Sequence, residues 1–286
     1  MFRTCSEQAI APPRKHKVTF VLGSTGTGKS EVVNSDKLQV YAGLDIIANK
    51  VTDEECAGIP RHLIGGIHPD AESTSSDFRR EATRAVEAIV AGGRLAIVAG
   101  GSNSYLEELV DGDGGKFRSK YECCFVWIDV ELPVLHLFVS ARVDKMVEMG
   151  LVEEARGVFE PEAADYSKGI RKSIGVPEMD RFFRAEGSAD EARMLQDAIE
   201  EIKENTRKLT CNQLKKIHRL STLRGWDVHR IDATEALQKR GDPEGEEVWN
   251  RMVREPSIKI VHKFLNEEYL HDMGFLKKIH DHCCCG

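Results

Sequence analysis

Gly23-Ser24-Thr25-Gly26-Thr27-Gly28-Lys29-Ser30 follows directly on the apolar run Val18-Thr19-Phe20-Val21-Leu22. This is a G-x-x-x-x-G-K-[ST] loop at the end of a buried strand, and it is expected to cradle a polyphosphate. Its glycines let successive backbone N–H groups converge on phosphate oxygens that side chains would otherwise keep away. Lys29 adds a point charge, and the Ser30 hydroxyl suits a Mg²⁺ shared with the phosphates. The loop names neither the phosphates nor the reaction.

Three more apolar runs, Leu95–Ala99, Cys124–Ile128 and Val228–Ile231, read as strands of a parallel sheet. Helical patterns lie between them. Asp77–Val90 puts Phe78, Ala82, Ala85, Val86 and Ile89 on one face and stops before Gly92-Gly93. A second helix opens near Pro133 and ends at Gly150, and the longest covers Asp190–Leu223. The order predicts an α/β fold, a P-loop nucleoside-triphosphate-hydrolase-like parallel sheet with a helical second half. Residues 1–16 read as an N-terminal segment with a targeting-peptide flavour, and 17–240 as the P-loop domain with a helical insertion at 133–225. Residues 241–286 read as a helical tail, entered through a polar linker at Asp242–Glu247. Gly112–Gly115 reads as a flexible loop.

One feature conflicts with that fold. A phosphate loop should open a helix whose N-terminal N–H groups complete the anion site. Here Ser30 is followed at once by Glu31-Val32-Val33-Asn34-Ser35-Asp36, which reads as the next strand and its polar end. Return to a parallel neighbour takes about a dozen residues. The expectation is a segment missing after Ser30, with a second, smaller loss near Asp113–Gly115. An unbroken backbone from Ser30 to Glu31 would mean that the helix is truly absent.

The 286 residues carry a net charge of -7, so a broad basic footprint for long nucleic acid is not expected. No apolar run approaches the roughly 18 residues of a membrane span, which predicts a soluble chain. The eight cysteines show no paired C-x-x-C spacing, which speaks against a zinc ribbon or a disulfide framework and for a reducing compartment. The terminal His280-Asp281-His282-Cys283-Cys284-Cys285-Gly286 is read as a plain tail, neither metal site nor prenylation box.

Two polar clusters follow strands, where α/β folds place substrates. In Asn34-Ser35-Asp36-Lys37, Asp36 with Ser35 suits an exocyclic amine, and a turn or cap aspartate is the plainer alternative. Gly100-Gly101-Ser102-Asn103-Ser104-Tyr105 permits close backbone approach followed by polar groups at a helix start.

With these motifs in order, the chain resembles the adenylate isopentenyltransferases of plant cytokinin synthesis, relatives of the tRNA dimethylallyltransferases. The resemblance covers most of residues 17–265. It rests on Gly23–Ser30, Asn34–Tyr41, Gly58-Ile59-Pro60-Arg61-His62-Leu63, Gly100–Tyr105, Arg142-Val143-Asp144-Lys145-Met146 through Gly150-Leu151, and Thr206-Arg207-Lys208 through Gln213-Leu214. The family pattern has a helix after the phosphate loop, which this chain lacks. The resemblance implies transfer of a dimethylallyl group from dimethylallyl diphosphate to N6 of an adenine nucleotide, with ATP and ADP preferred over AMP. It implies Asp36 as general base, Lys29 and Mg²⁺ on Ser30 steadying the departing diphosphate, Thr27 on the bridging oxygen and Arg142 clamping the diphosphate. Ser35, Ser102 and Asn103 would hold the nucleotide, and Lys172 and Lys208 its outer phosphates. A monomer in plastid or cytoplasm is expected, the family favouring the plastid. The alternatives are a tRNA dimethylallyltransferase, a small-molecule kinase using Asp129 on Mg²⁺, and a paralogue without turnover.

Overall fold

The computed structural model describes residues 15–22, 30–162 and 165–265. Six strands, β1 (His16–Leu22), β2 (Ser30–Asn34), β3 (Arg61–His62), β4 (Leu95–Ala99), β5 (Tyr121–Asp129) and β6 (Val228–Asp232), form one sheet in the order β3-β2-β4-β1-β5-β6. Every pairing is parallel. The central strands are buried on both faces, which explains why β1, β4 and β5 read as continuous apolar runs. The four apolar runs and the strand expected after Ser30 are all present as strands. The two-residue β3 is an addition, too short to carry a periodic signal.

On one face lie α1 (Ser75–Ala91) and α2 (Asn103–Lys120). α1 buries Phe78, Ala82, Val86 and Ile89, as its 3.6-residue period predicts, and Thr74 and Asp77 form a capping box at its start. The Asp77 carboxyl is held down to about 2, first by the hydrogen bond from the Thr74 side chain. Phe20, Phe125 and Phe117 of this core pack ring on ring. Gly112–Gly115 is not a free loop but a break inside α2, with helix on either side. Asp113, Gly114 and Gly115 all have φ between 51° and 73°, left-handed geometry that glycine accepts readily and that interrupts the helix.

The helical second half contains α3 (Leu132–Glu148), with proline in its first turn, and α4 (Glu191–Ser221). These two pack on each other. They sit with Ile170, Met179, Phe182 and Phe183 in a second core beside the sheet. The stretch Asp242–Glu247 is only partly a linker: helix begins at Gly245, buries Val248, and continues into α5 (Glu255–Leu265). Among the described residues no helix is long and apolar enough to cross a membrane.

The handedness of the connections locates the anomaly. α1 leads from β3 to β4 and α2 from β4 to β5, both in the same direction across the sheet, so right-handed crossovers put both on one face. The β1-to-β2 connection runs the other way and belongs on the opposite face. That face, formed by Val21, Val32, Leu95 and Ile97, is packed by Leu265 with Val261 and Phe264 of α5. The backbone is continuous from Ser30 to Glu31, because β2 pairs residue by residue with Leu95–Ala99. Ser30 stands beside Leu95 and Val21 beside Ala99. The chain therefore leaves β1 at one edge of the sheet and enters β2 at the other, roughly 13 Å back along the strands and about 10 Å across. Only residues 23–29 are available for that return, so the crossover helix is missing from the sequence itself.

Candidate active site

A cleft of about 450 Å³ opens at the C-terminal ends of the strands, between the sheet and the pair α3 and α4. Its floor includes Leu22, Asn34, Asp36, Ala99, Gly100, Gly101 and Asn103; its walls include Arg61, Trp127, Asp129, Arg142, Thr206, Thr210 and Gln213.

Asp36 is fixed by its own strand end. Its backbone N–H donates to Asn34 Oδ1 at 3.0 Å, while Asn34 Nδ2 donates to the Leu63 carbonyl at 3.0 Å and so ties this turn to the chain after β3. Asp36 Oδ1 accepts from the Leu38 N–H at 2.9 Å, an Asx turn that immobilises the carboxylate. Oδ2 is turned toward Gly101. One oxygen holds the residue in place while the other faces the cleft. The alternative reading of Asp36 as a turn residue is thus true of Oδ1 only.

Gly100 is required here. At φ +154° a Cβ would lie 2.7 Å from the Asp36 nitrogen and 2.7 Å from Ser35 Oγ. Ser35 is fully buried beneath it, and its hydroxyl has no partner. Ser102 Oγ accepts the Lys37 N–H at 3.0 Å, so this side chain joins the end of β2 to the start of α2 rather than lining the cleft. Asn103 donates to the Gln213 carbonyl at 3.3 Å, and Gln213 donates through Nε2 to the Gly101 carbonyl at 2.9 Å. Asn103 is 3% exposed, and its Oδ1 has no partner.

Arg142 projects from α3 with a buried Nε that no acceptor satisfies. Burial pulls its guanidinium below the usual arginine range, and only the Asp36 carboxylate opposes that shift. Leaving a buried charged donor unpaired costs about 1–3 kcal/mol or more, so the position is arranged for an anion. Arg61 likewise has a buried, unpartnered Nε on the same cleft.

The remaining expected residues are distributed differently. Gly23, Ser24, Thr25, Gly26, Thr27, Gly28 and Lys29 lie outside the described residues. Ser30, expected as a Mg²⁺ ligand, is the first residue of β2, buried beside Leu95 at the edge of the sheet opposite the cleft. The missing helix is the cause, since the chain must enter β2 immediately. Ser30 therefore does not fit as a metal ligand beside Asp36. Lys208 is an exposed α4 residue 3.5 Å from Glu204 and does not line the cleft. Lys172 sits 3.6 Å from Glu72, directly before the cleft residues Ser173 and Ile174. Asp129, which a kinase would need on Mg²⁺, is already held by Arg230 Nε at 2.6 Å. In the sequence Gln213 and Arg61 stand out only as members of motif stretches, because neither spacing nor polarity marks a long polar residue as a cleft wall. Cys124 is a core residue and Cys123 packs half-buried against the core; burial pushes their thiols up to about 11 and about 12, which removes them as nucleophiles.

The IPP transferase family model matches residues 39–119 and 113–219, two segments that overlap at 113–119, from the glycine break of α2 onward. Adenylate isopentenyltransferase 5, chloroplastic, of Arabidopsis thaliana is 54% identical, over 88% of this chain and 81% of that protein. Adenylate isopentenyltransferase 7, mitochondrial, of the same plant is 48% identical, over 88% of this chain and 81% of that protein. The first alignment spans 270 positions, more than 88% of 286 residues can fill, so it opens gaps in this chain. Among solved structures, a eukaryotic dimethylallyltransferase acting on tRNA superposes with a TM-score of 0.70 at 22% identity, covering 91% of this chain and 84% of that one. The tRNA isopentenylpyrophosphate transferase of Bacillus halodurans superposes at 0.65 and 20% identity, covering 92% and 99%. At those identities the two structures speak for the fold. The family model and the close plant relatives carry the assignment: the chain belongs to the IPP transferase family.

Proposed function

We propose that this chain transfers a dimethylallyl group from dimethylallyl diphosphate to N6 of an adenine nucleotide, the first step of cytokinin synthesis. The observation that carries the reading is Asp36, anchored through Oδ1 with Oδ2 facing a cleft that also exposes the unpaired Arg142. An exocyclic amine is a weak nucleophile, so the allylic C–O bond is largely broken before nitrogen attacks. Arg142 then binds the departing diphosphate through a planar, two-point contact, and its burial strengthens that interaction. Asp36 Oδ2 orients the amine and accepts its proton as the C–N bond forms. Asn103 Oδ1, buried and unsatisfied, suits a donor on the nucleotide.

Dimethylallyl diphosphate reactions commonly proceed with Mg²⁺, which would neutralise the diphosphate. Ser30 in β2 does not supply its ligand, and the steps above use the protein's own groups. ATP and ADP rather than AMP remain the preferred acceptors in this proposal, with Lys172 as the outer phosphate contact. The plant relatives named as adenylate enzymes support free nucleotide over tRNA, as does the net charge of -7. The names chloroplastic and mitochondrial support an organellar setting, plastid before cytoplasm. A monomer is the proposed state.

Purified chain incubated with Mg²⁺, dimethylallyl diphosphate and separately ATP, ADP and AMP tests the reading by mass spectrometry. A nucleotide heavier by C₅H₈ is expected. A folded chain that yields only ADP from ATP would be a kinase, and one that yields nothing would be a paralogue without turnover.

A further inference from the structure

We propose that Arg61 is a second phosphate-contacting guanidinium of the cleft, working with Arg142 on a diphosphate group. The inference rests on the prenyl-transfer reading for the identity of the ligands, though not for the anion chemistry itself. Among the described residues most arginines are paired with a carboxylate: Arg79 with Glu108, Arg94 with Glu31, Arg230 with Asp129. Arg61 and Arg142 have no such ion pair, each has a buried Nε without an acceptor, and both line the same cleft. Two orphaned cations facing one cleft are expensive unless an anion occupies it.

The sheet explains how Arg61 reaches the site. Arg61 pairs with Val32, and in a parallel pair residues in register point to the same face. That face is where the β1-to-β2 crossover helix belongs by handedness, and where its N-terminal N–H groups would have faced the anion. His62, the next residue, points the other way and bonds Glu31 at 2.6 Å. A chain without the crossover helix has lost that positive helix end. Arg61 is the side chain placed to supply positive charge from the same side.

The anion has two sources, the prenyl donor or the acceptor nucleotide, and calorimetry separates them. Wild type, Arg61→Gln and Arg61→Lys would each be titrated with inorganic pyrophosphate, dimethylallyl diphosphate, ADP and adenosine, after circular dichroism establishes that the variants fold. Arg251→Ala, remote and paired with Glu235, controls for loss of one charge. Arg61→Gln should weaken pyrophosphate about tenfold or more, as loss of a charge-assisted hydrogen bond does. Arg61→Lys should recover only part, because it offers a point charge rather than a fork. Adenosine should bind all variants alike. The same loss on dimethylallyl diphosphate places Arg61 at the donor, and on ADP at the acceptor. Pyrophosphate bound equally by wild type and Arg61→Gln overturns the inference, as does a wild type that binds no pyrophosphate. An Arg61-dependent pyrophosphate site in a chain that forms no prenyl adduct would keep the inference and sink the prenyl-transfer reading.

Discussion

The connection from β4 to β5 and the connection from β1 to β2 meet the same topological demand with very different lengths of chain. After β4, Gly100-Gly101 clear the way and the 18-residue α2 starts at Asn103, so an oriented helix end and a buried amide arrive together at the cleft. After β1, residues 23–29 must carry the chain from one edge of the sheet to the other before Ser30 joins β2. The first connection builds a preorganised half-site in which Asp36, Gly100, Asn103 and Gln213 hold one another by direct hydrogen bonds or close contact. The second retains the residue types of a phosphate loop without the helix that gives such a loop its field. Sequence motif and site are therefore separable: residues can persist after the element that orients them has gone.

If the β2–β4 half carries the chemistry, Asp36→Asn should reduce turnover about 10²-fold or more while leaving donor binding nearly unchanged. Steady-state kinetics beside a donor titration would check both, and wild-type turnover in this variant would remove Asp36 as the base. The deficit in the β1–β2 half has a converse test. Inserting an amphipathic helix of about a dozen residues between Ser30 and Glu31, apolar toward the sheet, should restore a standard crossover. A helix N-terminus on the diphosphate should raise kcat/KM by about tenfold or more. Equal rates with and without the insertion would show that the short connection costs the reaction nothing.

The contrast also marks how far the residues alone could be read. β1, β4 and β5 were legible because strands buried on both faces are uninterrupted apolar runs, and α1 and α4 because their apolar positions repeat at three and four. The lost crossover was legible too, from arithmetic: a strand cannot follow Ser30 directly in this fold. What was not legible was its consequence for Ser30, since only the β2–β4 register reveals that the residue has moved to the far edge of the sheet. Arg61 escaped for a related reason. Its role depends on which face of a two-residue edge strand it occupies, and so short a strand leaves no alternation to read. Lys208 shows the opposite error: a basic residue inside a family motif that the helix turns outward to Glu204. The break in α2 at Gly112–Gly115 was visible as glycine, but that helix resumes after it required tertiary packing by Phe117.

Two cations sharpen the comparison at smaller amplitude. Arg142→Ala should weaken diphosphate binding about tenfold, measured as the Kd of dimethylallyl diphosphate, because a partly buried two-point contact is lost. Its effect should exceed that of Lys172→Ala, whose ammonium is already shared with Glu72. Such a screened, half-exposed contact is worth about 1 kcal/mol at most. Lys172→Ala should therefore raise the KM for ATP only severalfold and leave AMP unchanged, since AMP lacks the outer phosphates. Lys208→Ala serves as its internal reference, being the same residue type but outside the cleft lining, and should alter neither KM. An equal rise for ATP and AMP in Lys172→Ala would remove it from the outer phosphates. That result would shift nucleotide discrimination onto Arg61, which with Arg142 is an unpaired cation lining the cleft.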